Sequence, residues 1–338
     1  MMFVIRPIEE KDYHALETIA FTAHAGLLSL PKNPTLLKRK LHAAIDAINR
    51  KITSPDHETY LFVLENTSTG KIGGTCGIYS RTGVINPVYS FALIDEEPAM
   101  RDIGRDIKVL KVRKHAPGPT EMCSLYLLPD FRKGGLGRLL SLSRYLYIAS
   151  HPQRFESKII ASLRGVIDKN GNSPFWQHVG RHFFESSFEE MFAMIQNDPS
   201  VVQHLLPKHP IYVPLLNPQA QKVINRPHAN SVPALRMLSG EGFACSGEVD
   251  LFDAGPIVSA ETQMIRTIQK SCVATITKIS ADKNDNMNSI IATINSDFRC
   301  CLGQVRNNGN DTIVINEEAC RLLKIGIGDL VRYVSLKG

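Results

Sequence analysis

Residues 121–137 read Glu-Met-Cys-Ser-Leu-Tyr-Leu-Leu-Pro-Asp-Phe-Arg-Lys-Gly-Gly-Leu-Gly (EMCSLYLLPDFRKGGLG), and three local signals follow one another within them. Glu121 to Leu128 is a short, almost wholly apolar run that stops at Pro129, as a strand buried in a sheet does. Arg132 to Gly137 then places three glycines in six residues. From Gly137 to about Ala149, the residues Leu139, Leu140, Leu142, Tyr145 and Leu146 form the apolar side of a helix. A strand, a glycine-rich turn and a helix N-terminus in that order make a phosphate cradle, because glycines free successive backbone N–H groups and the helix end adds partial positive charge. An anionic cofactor fits there, with Arg132, Lys133, Gly134, Gly135, Leu136 and Gly137 as its expected contacts. A glycine-rich turn that binds nothing has the same spacing, so the loop alone leaves both readings open.

Upstream, the pattern predicts a short strand through Phe3 and Ile5 and helices from about Asp12 and Pro34. Strands Tyr60 to Glu65 and Lys71 to Tyr79 follow, joined as a hairpin through Thr67 to Gly70. That order is an α+β opening, not strict βαβ alternation. Downstream, Lys158 to Val166 reads as a strand. Residues from about 168 to 218 read as an elaborated insertion, with a helical Phe183 to Gln196 and the run Pro207, Pro210, Pro214, Pro218. A helix, Ser231 to Gly240, and a strand, Ala244 to Phe252, come next. Alternating patterns at Cys272 to Ile279, Ser289 to Asn295, Thr312 to Ile315 and Leu330 to Ser335, with a helix at Glu317 to Leu323, predict a small β-barrel-like domain. The expected division is 1–257, holding the insertion, and 258–338.

With 338 residues, 43% of them hydrophobic, and 39 Lys plus Arg against 33 Asp plus Glu, the chain reads as a soluble globular protein of about two domains rather than a disordered one. Its charge-poor stretches, such as Thr82 to Ile94, are interrupted by Asn86, Pro87 and Ser90 and fall short of the ~20 apolar residues of a membrane span. Arg6, Glu9, Glu10, Lys11 and Asp12 arrive before any signal-peptide core, so a cytoplasmic location is expected. Seven cysteines, at 76, 123, 245, 272, 300, 301 and 320, include no CxxC pair, so neither a disulfide framework nor a metal site is expected. Cys123 and Cys245 read as buried thiols. The net charge of +6 suits a protein that handles anions. The C-terminal segment has no basic stripe with interleaved aromatics, so nucleic acid is not an expected partner.

The Arg132-x-x-Gly135-x-Gly137 spacing after Leu128-Pro129-Asp130 resembles the pyrophosphate loop of the GNAT superfamily of acyl-CoA-dependent N-acyltransferases. Asn230, Ala234, Leu235 and Met237 on a helix closed by Glu241-Gly242-Phe243 resemble a second element of that superfamily. Longer strings resemble one family, the arginine N-succinyltransferases. They are Gly26-Leu27-Leu28-Ser29-Leu30-Pro31, Tyr60 to Glu65, Glu121 to Leu127, Leu163-Arg164-Gly165-Val166, Ser173-Pro174-Phe175-Trp176, Lys208 to Tyr212 and Val249 to Pro256. The resemblance implies a GNAT-like mixed sheet with flanking helices. It also implies succinyl-CoA as co-substrate, no metal, and transfer to the α-amino group of L-arginine, the first step of an arginine catabolic pathway. His228 is implied as proton donor and Leu125 as a succinyl-CoA contact, with Leu127 beside it on the strand. An assembly of identical or related subunits is expected, without a membrane. Two departures bear on the acceptor. Leu28 stands where the family has threonine, and Arg113 to Gly118 replaces an Asn-Asp-His-Thr-Gly stretch. A related acyltransferase for ornithine or another amine, or a non-catalytic coenzyme-A-binding partner subunit, are the alternatives.

A succinyl donor carries a carboxylate, which calls for a guanidinium, and Arg164 is the candidate, with a structural ion pair as its other reading. Glu121, Asp250 and Asp253 are available to a guanidinium on the acceptor, or to local capping. His209 and Tyr212 stand as pocket candidates or as parts of a packed loop, and Trp176 reads as core. Without the family, His228 reads first as a water-exposed histidine before a helix, and the resemblance is what turns the reading to proton donor.

Overall fold

The computed structural model describes residues 2–23, 29–97, 106–281, 287–295 and 297–336, so Leu28 lies outside the described residues. In chain order the strands are β1 (Phe3–Pro7), β2 (Thr59–Asn66), β3 (Lys71–Tyr79), β4 (Val88–Glu96), β5 (Ile107–His115), β6 (Thr120–Leu127), β7 (Lys158–Ser162) and β8 (Ile211–Tyr212). The remainder are β9 (Ala244–Asp250), β10 (Pro256–Glu261), β11 (Cys272–Ser280), β12 (Ser289–Thr293), β13 (Cys300–Gly303), β14 (Val305–Gly309), β15 (Thr312–Asn316) and β16 (Leu330–Ser335). The helices are α1 (Tyr13–Thr22), α2 (Pro34–Asn49), α3 (Leu136–Ser150), α4 (Pro174–His178), α5 (Phe188–Asn197), α6 (Val202–Leu205), α7 (Pro218–Val223), α8 (Val232–Gly240), α9 (Arg266–Lys270) and α10 (Glu317–Leu323). Among the described residues no helix is long and apolar enough to cross a membrane.

The strands join in the order β14-β15-β11-β16-β12-β13-β1-β2-β3-β6-β7-β10-β9-β4-β5-β8. The sheet is mixed, with β6–β7 and β11–β15 parallel. β2 explains how its middle is held. Successive side chains point to opposite faces, so Tyr60, Phe62 and Leu64 pack with Leu139, Leu140 and Tyr145 of α3, while Leu61 and Val63 pack with Leu16, Ile19, Leu37 and Leu41 of α1 and α2. A strand covered on both faces reads as a continuous apolar run, as Tyr60 to Leu64 does. α2 starts where Asn33 accepts from the N–H groups of Thr35 and Leu36, with Pro34 as its first residue.

The β4–β5 hairpin comes between β3 and β6 in sequence but lies beyond β9 in space, where Phe91 pairs with Val249. The sequence pattern does not reveal it, because Pro87 interrupts its approach and β5 is studded with Lys108, Lys111, Arg113 and Lys114. The expected insertion covers this hairpin: Phe175, Trp176, Phe184 and Phe188 bury themselves against Phe91, Val249 and Phe252. Its helix starts at Phe188 rather than Phe183, behind a reciprocal Ser187–Glu190 cap.

Other boundaries also move. β7 ends at Ser162, and the chain beyond it is held by Leu163 N–H donating to Pro256 O and by a bridge between Gly165 and Pro227. β9 ends at Asp250, whose carboxylate accepts from the N–H groups of Phe252 and Asp253 and turns the chain. Cys123 is buried as expected, but Cys245 is exposed, because the first half of β9 runs beyond the core.

β10 pairs with β7 and β9 of the larger unit, so the expected division after residue 257 falls inside a strand. The last six strands begin at Cys272. β13 and β14 end their six-strand order at opposite sides, yet only Gln304 separates them in sequence, so this part of the sheet is rolled. The Asn288 side chain bonds both N–H and C=O of Val305, and Asn316 accepts from Gln304 N–H, which clamps the turn.

Candidate active site

A cleft of about 1610 Å³ runs from the glycine loop along β6 to the faces of β9, β4 and β5. It opens because β6 and β7 part. They pair only at Thr120–Ile159 and Glu121–Ile160, after which β6 stays paired with β3 up to Leu127 while its edge toward β7 is free of strand pairing among the described residues. Ser124 causes the divergence: its φ of 53° makes a bulge, and the β3–β6 register shifts between Thr75 and Gly77. Ser29 holds the bulge, its Oγ accepting from Ser124 N–H at 2.9 Å and its carbonyl accepting from Ser124 Oγ at 3.1 Å. The fork leaves Leu125 and Leu127 lining the cleft.

The loop that follows is pinned by buried Phe131 and by Leu136 N–H donating to Lys133 O at 3.2 Å. Gly134 and Gly135 have φ of 61° and 75°, left-handed values that favour glycine, and no atom lies within 4 Å of where a Cβ would stand on either. Among the described residues, the N–H groups of Gly134, Gly135 and Gly137 have no backbone acceptor, and they gather at the positive end of the 15-residue α3. Arg132 is fixed there by Nε donating to Leu127 O at 2.9 Å. Every loop residue expected to bind the cofactor, Arg132 to Gly137, faces the cleft.

Arg164 faces it too. Its Nε is buried and has no hydrogen-bond partner among the described residues. Burial lowers its pKa, which the neighbouring Asp253 opposes. Asp253 and Asp250 line the cleft, but their oxygens are engaged locally. Asp253 accepts from Gly165 N–H at 2.7 Å and Gly255 N–H at 2.8 Å. Burial, then the charge of Asp250, push the Asp253 carboxyl well above the ordinary carboxylate range. His228 stands at the rim: Ala229, Asn230 and Ser231 line the cleft and the imidazole itself does not. Its Nδ1 accepts from Asn230 N–H at 3.1 Å, which assigns the ring proton of a neutral imidazole to Nε2.

A further cluster is invisible to sequence spacing, because it joins the successive strands β4 and β5 to β9, which lies far downstream. Glu248 of β9 accepts from Ser90 Oγ at 2.5 Å, from His115 Nε2 at 2.9 Å and from Arg113 at 2.7 Å. Burial would raise the Glu248 carboxyl, but hydrogen bonds from His115, Ser90 and Arg113 outweigh it and bring the pKa to about 2. The one signal in the sequence was the Arg113 to Gly118 string, read there only as a departure. At the fork, Glu121 is raised by burial despite Ser162 and Lys40, while Lys40 Nζ donates to Tyr79 OH at 2.6 Å. His209 and Tyr212 do not line the cleft, and Trp176 is fully buried core.

A forked parallel strand pair beside a glycine cradle suits an acyl-coenzyme A thioester, with the pyrophosphate on the loop and the acyl end at the fork. Comparisons with known proteins identify the family. The profile of the arginine N-succinyltransferase beta subunit matches residues 3–267, and that of its C-terminal domain matches 272–335, leaving 268–271, the end of α9 and the residue after it, between the two matches. The arginine N-succinyltransferases of Photorhabdus laumondii and Escherichia coli are each 33% identical to the chain, over 99% of it and 98% of their own length. The solved arginine/ornithine succinyltransferase subunit AI of Pseudomonas aeruginosa superposes with a TM-score of 0.90 at 29% identity, covering 100% of this chain and 99% of that one. With both profiles accounting for the chain almost end to end, and the fork and cradle falling inside the first, this protein belongs to the arginine N-succinyltransferase family.

Proposed function

We propose that the chain transfers the succinyl group of succinyl-CoA to the α-amino group of L-arginine. The observation that carries this reading is the continuity of one cleft from the glycine cradle, past the β6–β7 fork, to Arg164 and the rim at His228. The loop N–H groups hold the pyrophosphate, and the freed edge of β6 near Leu125 offers backbone donors to the thioester carbonyl. Arg164 takes the succinyl carboxylate. The neutral amine nitrogen forms a bond to the carbonyl carbon, the carbon–sulfur bond breaks, and His228 hands its Nε2 proton to the departing thiolate while recovering the proton that the acylated nitrogen gives up, so the ring ends as it began. We place the protein in the cytoplasm, in an assembly of identical or related subunits, the latter checked by sedimentation equilibrium.

The test is thiol release across a panel of amines and acyl-CoAs. Turnover highest with L-arginine and succinyl-CoA supports the proposal. Ornithine preferred over arginine reassigns the acceptor. Coenzyme binding without turnover on any amine overturns the enzymatic reading in favour of a non-catalytic partner subunit.

A further inference from the structure

Behind the glycine loop lies a second cavity of about 550 Å³, with Phe3, Leu302, Leu322 and Glu318 among its walls. It meets the main cleft along the loop itself, since Lys133, Gly134 and Leu136 line both. Leu302, Leu322 and Glu318 all belong to the C-terminal unit, which the reaction as described leaves without a task.

The chemistry of the coenzyme connects the two cavities. A pyrophosphate seated on the N–H groups of Gly134 to Gly137 has two arms. The acyl-pantetheine arm follows β6 to the fork, so the adenosine arm departs from the opposite side of the loop, where the second cavity opens. We propose that this cavity binds the adenine ring of the coenzyme and that the C-terminal unit builds part of the coenzyme site. The inference rests on the succinyl-CoA reading above. The cavity has the features a purine needs. Phe3 offers a ring face, held in place by an edge-on contact with Phe131 at 6.1 Å between centroids. The antiparallel β1–β13 pairing through Ile5 and Cys300 puts Leu302 across from Phe3. Glu318 can accept from the exocyclic amine, and the Lys133 ammonium at the shared rim suits the 3′-phosphate.

The test compares coenzyme A with 4′-phosphopantetheine, which lacks the 3′-phosphoadenosine arm and one phosphate of the pyrophosphate, by titration calorimetry on the full-length chain, so that the variants below isolate the part due to the adenine. The parent should bind coenzyme A at least about tenfold more tightly, and Phe3→Ala and Leu322→Gln should each remove most of that advantage while leaving 4′-phosphopantetheine binding unchanged. Equal affinities in the parent, or folded variants that keep the full advantage, overturn the proposal. Photolabelling of the unmodified chain with 8-azidoadenosine 3′,5′-bisphosphate supplies a readout independent of variant folding. Adducts on peptides carrying Phe3, Leu302 or Leu322 support the site, and adducts confined to other peptides refute it. A parent that binds coenzyme A at the glycine loop but labels elsewhere loses only this inference, whereas a parent that binds no coenzyme A loses the acyltransferase reading as well.

Discussion

The backbone N–H of His228 donates to the carbonyl of Arg164 at 2.8 Å, so the two side chains assigned to opposite ends of the acyl transfer hang from one backbone hydrogen bond. The turn from Asp250 to Gly255 secures both segments. Asp253 grips Gly165 N–H, and the Ala254 carbonyl accepts from Asn225 N–H at 2.9 Å, three residues before His228. Closeness explains the glycines: a Cβ on Gly255 would stand 2.1 Å from Leu163 O, and one on Gly165 would stand 2.4 Å from Asp253 O.

That attachment is through the backbone, so it survives removal of the imidazole. His228→Ala should leave coenzyme affinity intact and lower turnover by ~10²- to 10⁴-fold, the usual contribution of a positioned proton-transfer group. It also removes the Nδ1 that caps Asn230 N–H, at a cost of ~0.5–2 kcal/mol. His228→Asn restores a capping oxygen but not a proton of suitable acidity. A thermal midpoint recovered in His228→Asn with turnover still lost is therefore expected. Turnover within about threefold of the parent in either variant would discard the proton-donor role.

The cradle can be tested at two glycines with different constraints. Gly135 sits at φ 75°, so Gly135→Ala should lower stability through backbone strain as well as weaken coenzyme binding. Gly137 lies inside the helix, where an added Cβ meets only Leu127 Cδ2 at 3.9 Å. Gly137→Val should fold as the parent does while the KM for succinyl-CoA rises by about tenfold or more, because the branched side chain covers the N–H groups. An unchanged KM in Gly137→Val would assign the loop to a plain turn.

Much of this was legible in the sequence where the signal is local. The strand, the glycine loop and α3 are contiguous over residues 121–149, so their order could be read whatever surrounds them. The apolar run of β2 also marked a strand, one the structure covers on both faces. The β4–β5 hairpin was hidden because its pairing partner, β9, lies far downstream and its exposed face is charged. Strand ends at Ser162 and Asp250 were missed because tertiary bonds, to Pro256 and within the Asp250 turn, decide them. Glu248, Ser90 and His115 carry no spacing signal at all, since β-pairing between distant segments alone assembles them.

Glu248 makes a prediction about pH. An acid whose pKa is lower in the folded state contributes stability above its unfolded value and loses it as pH falls through the folded one. Glu248 is brought from 4.5 to about 2, so its contribution is complete at neutral pH and fades between those values. Glu248→Gln should lower the thermal midpoint at pH 7, and the gap to the parent should close as pH falls from 4.5 towards 2. Midpoints measured at half-unit pH steps decide it, and a gap that persists unchanged at the acidic end would mean that packing, not charge, is what the glutamate supplies.

Arg113 and Arg164 both line the cleft, and their surroundings distinguish them. Arg113 is bound to Glu248 Oε1 at 2.7 Å with its side chain 53% exposed, so its charge is already compensated and in contact with water. Arg164 has a buried Nε without a partner among the described residues. A buried donor left unsatisfied is unfavourable, and a ligand carboxylate relieves it. The succinyl group brings that carboxylate and acetyl does not. A charge-assisted hydrogen bond of ~1.5–3 kcal/mol corresponds to about 10- to 150-fold in catalytic efficiency, which is the expected preference of the parent for succinyl-CoA over acetyl-CoA. Arg164→Ala should bring the two donors close together by lowering kcat/KM for succinyl-CoA alone. Arg164→Lys should recover part of the preference, since charge is kept but the planar fork is lost. Arg113→Ala should leave the ratio intact. Comparing both donors in all three variants separates the roles: a preference that survives in Arg164→Ala and falls in Arg113→Ala would move succinyl recognition to the β4–β5 hairpin.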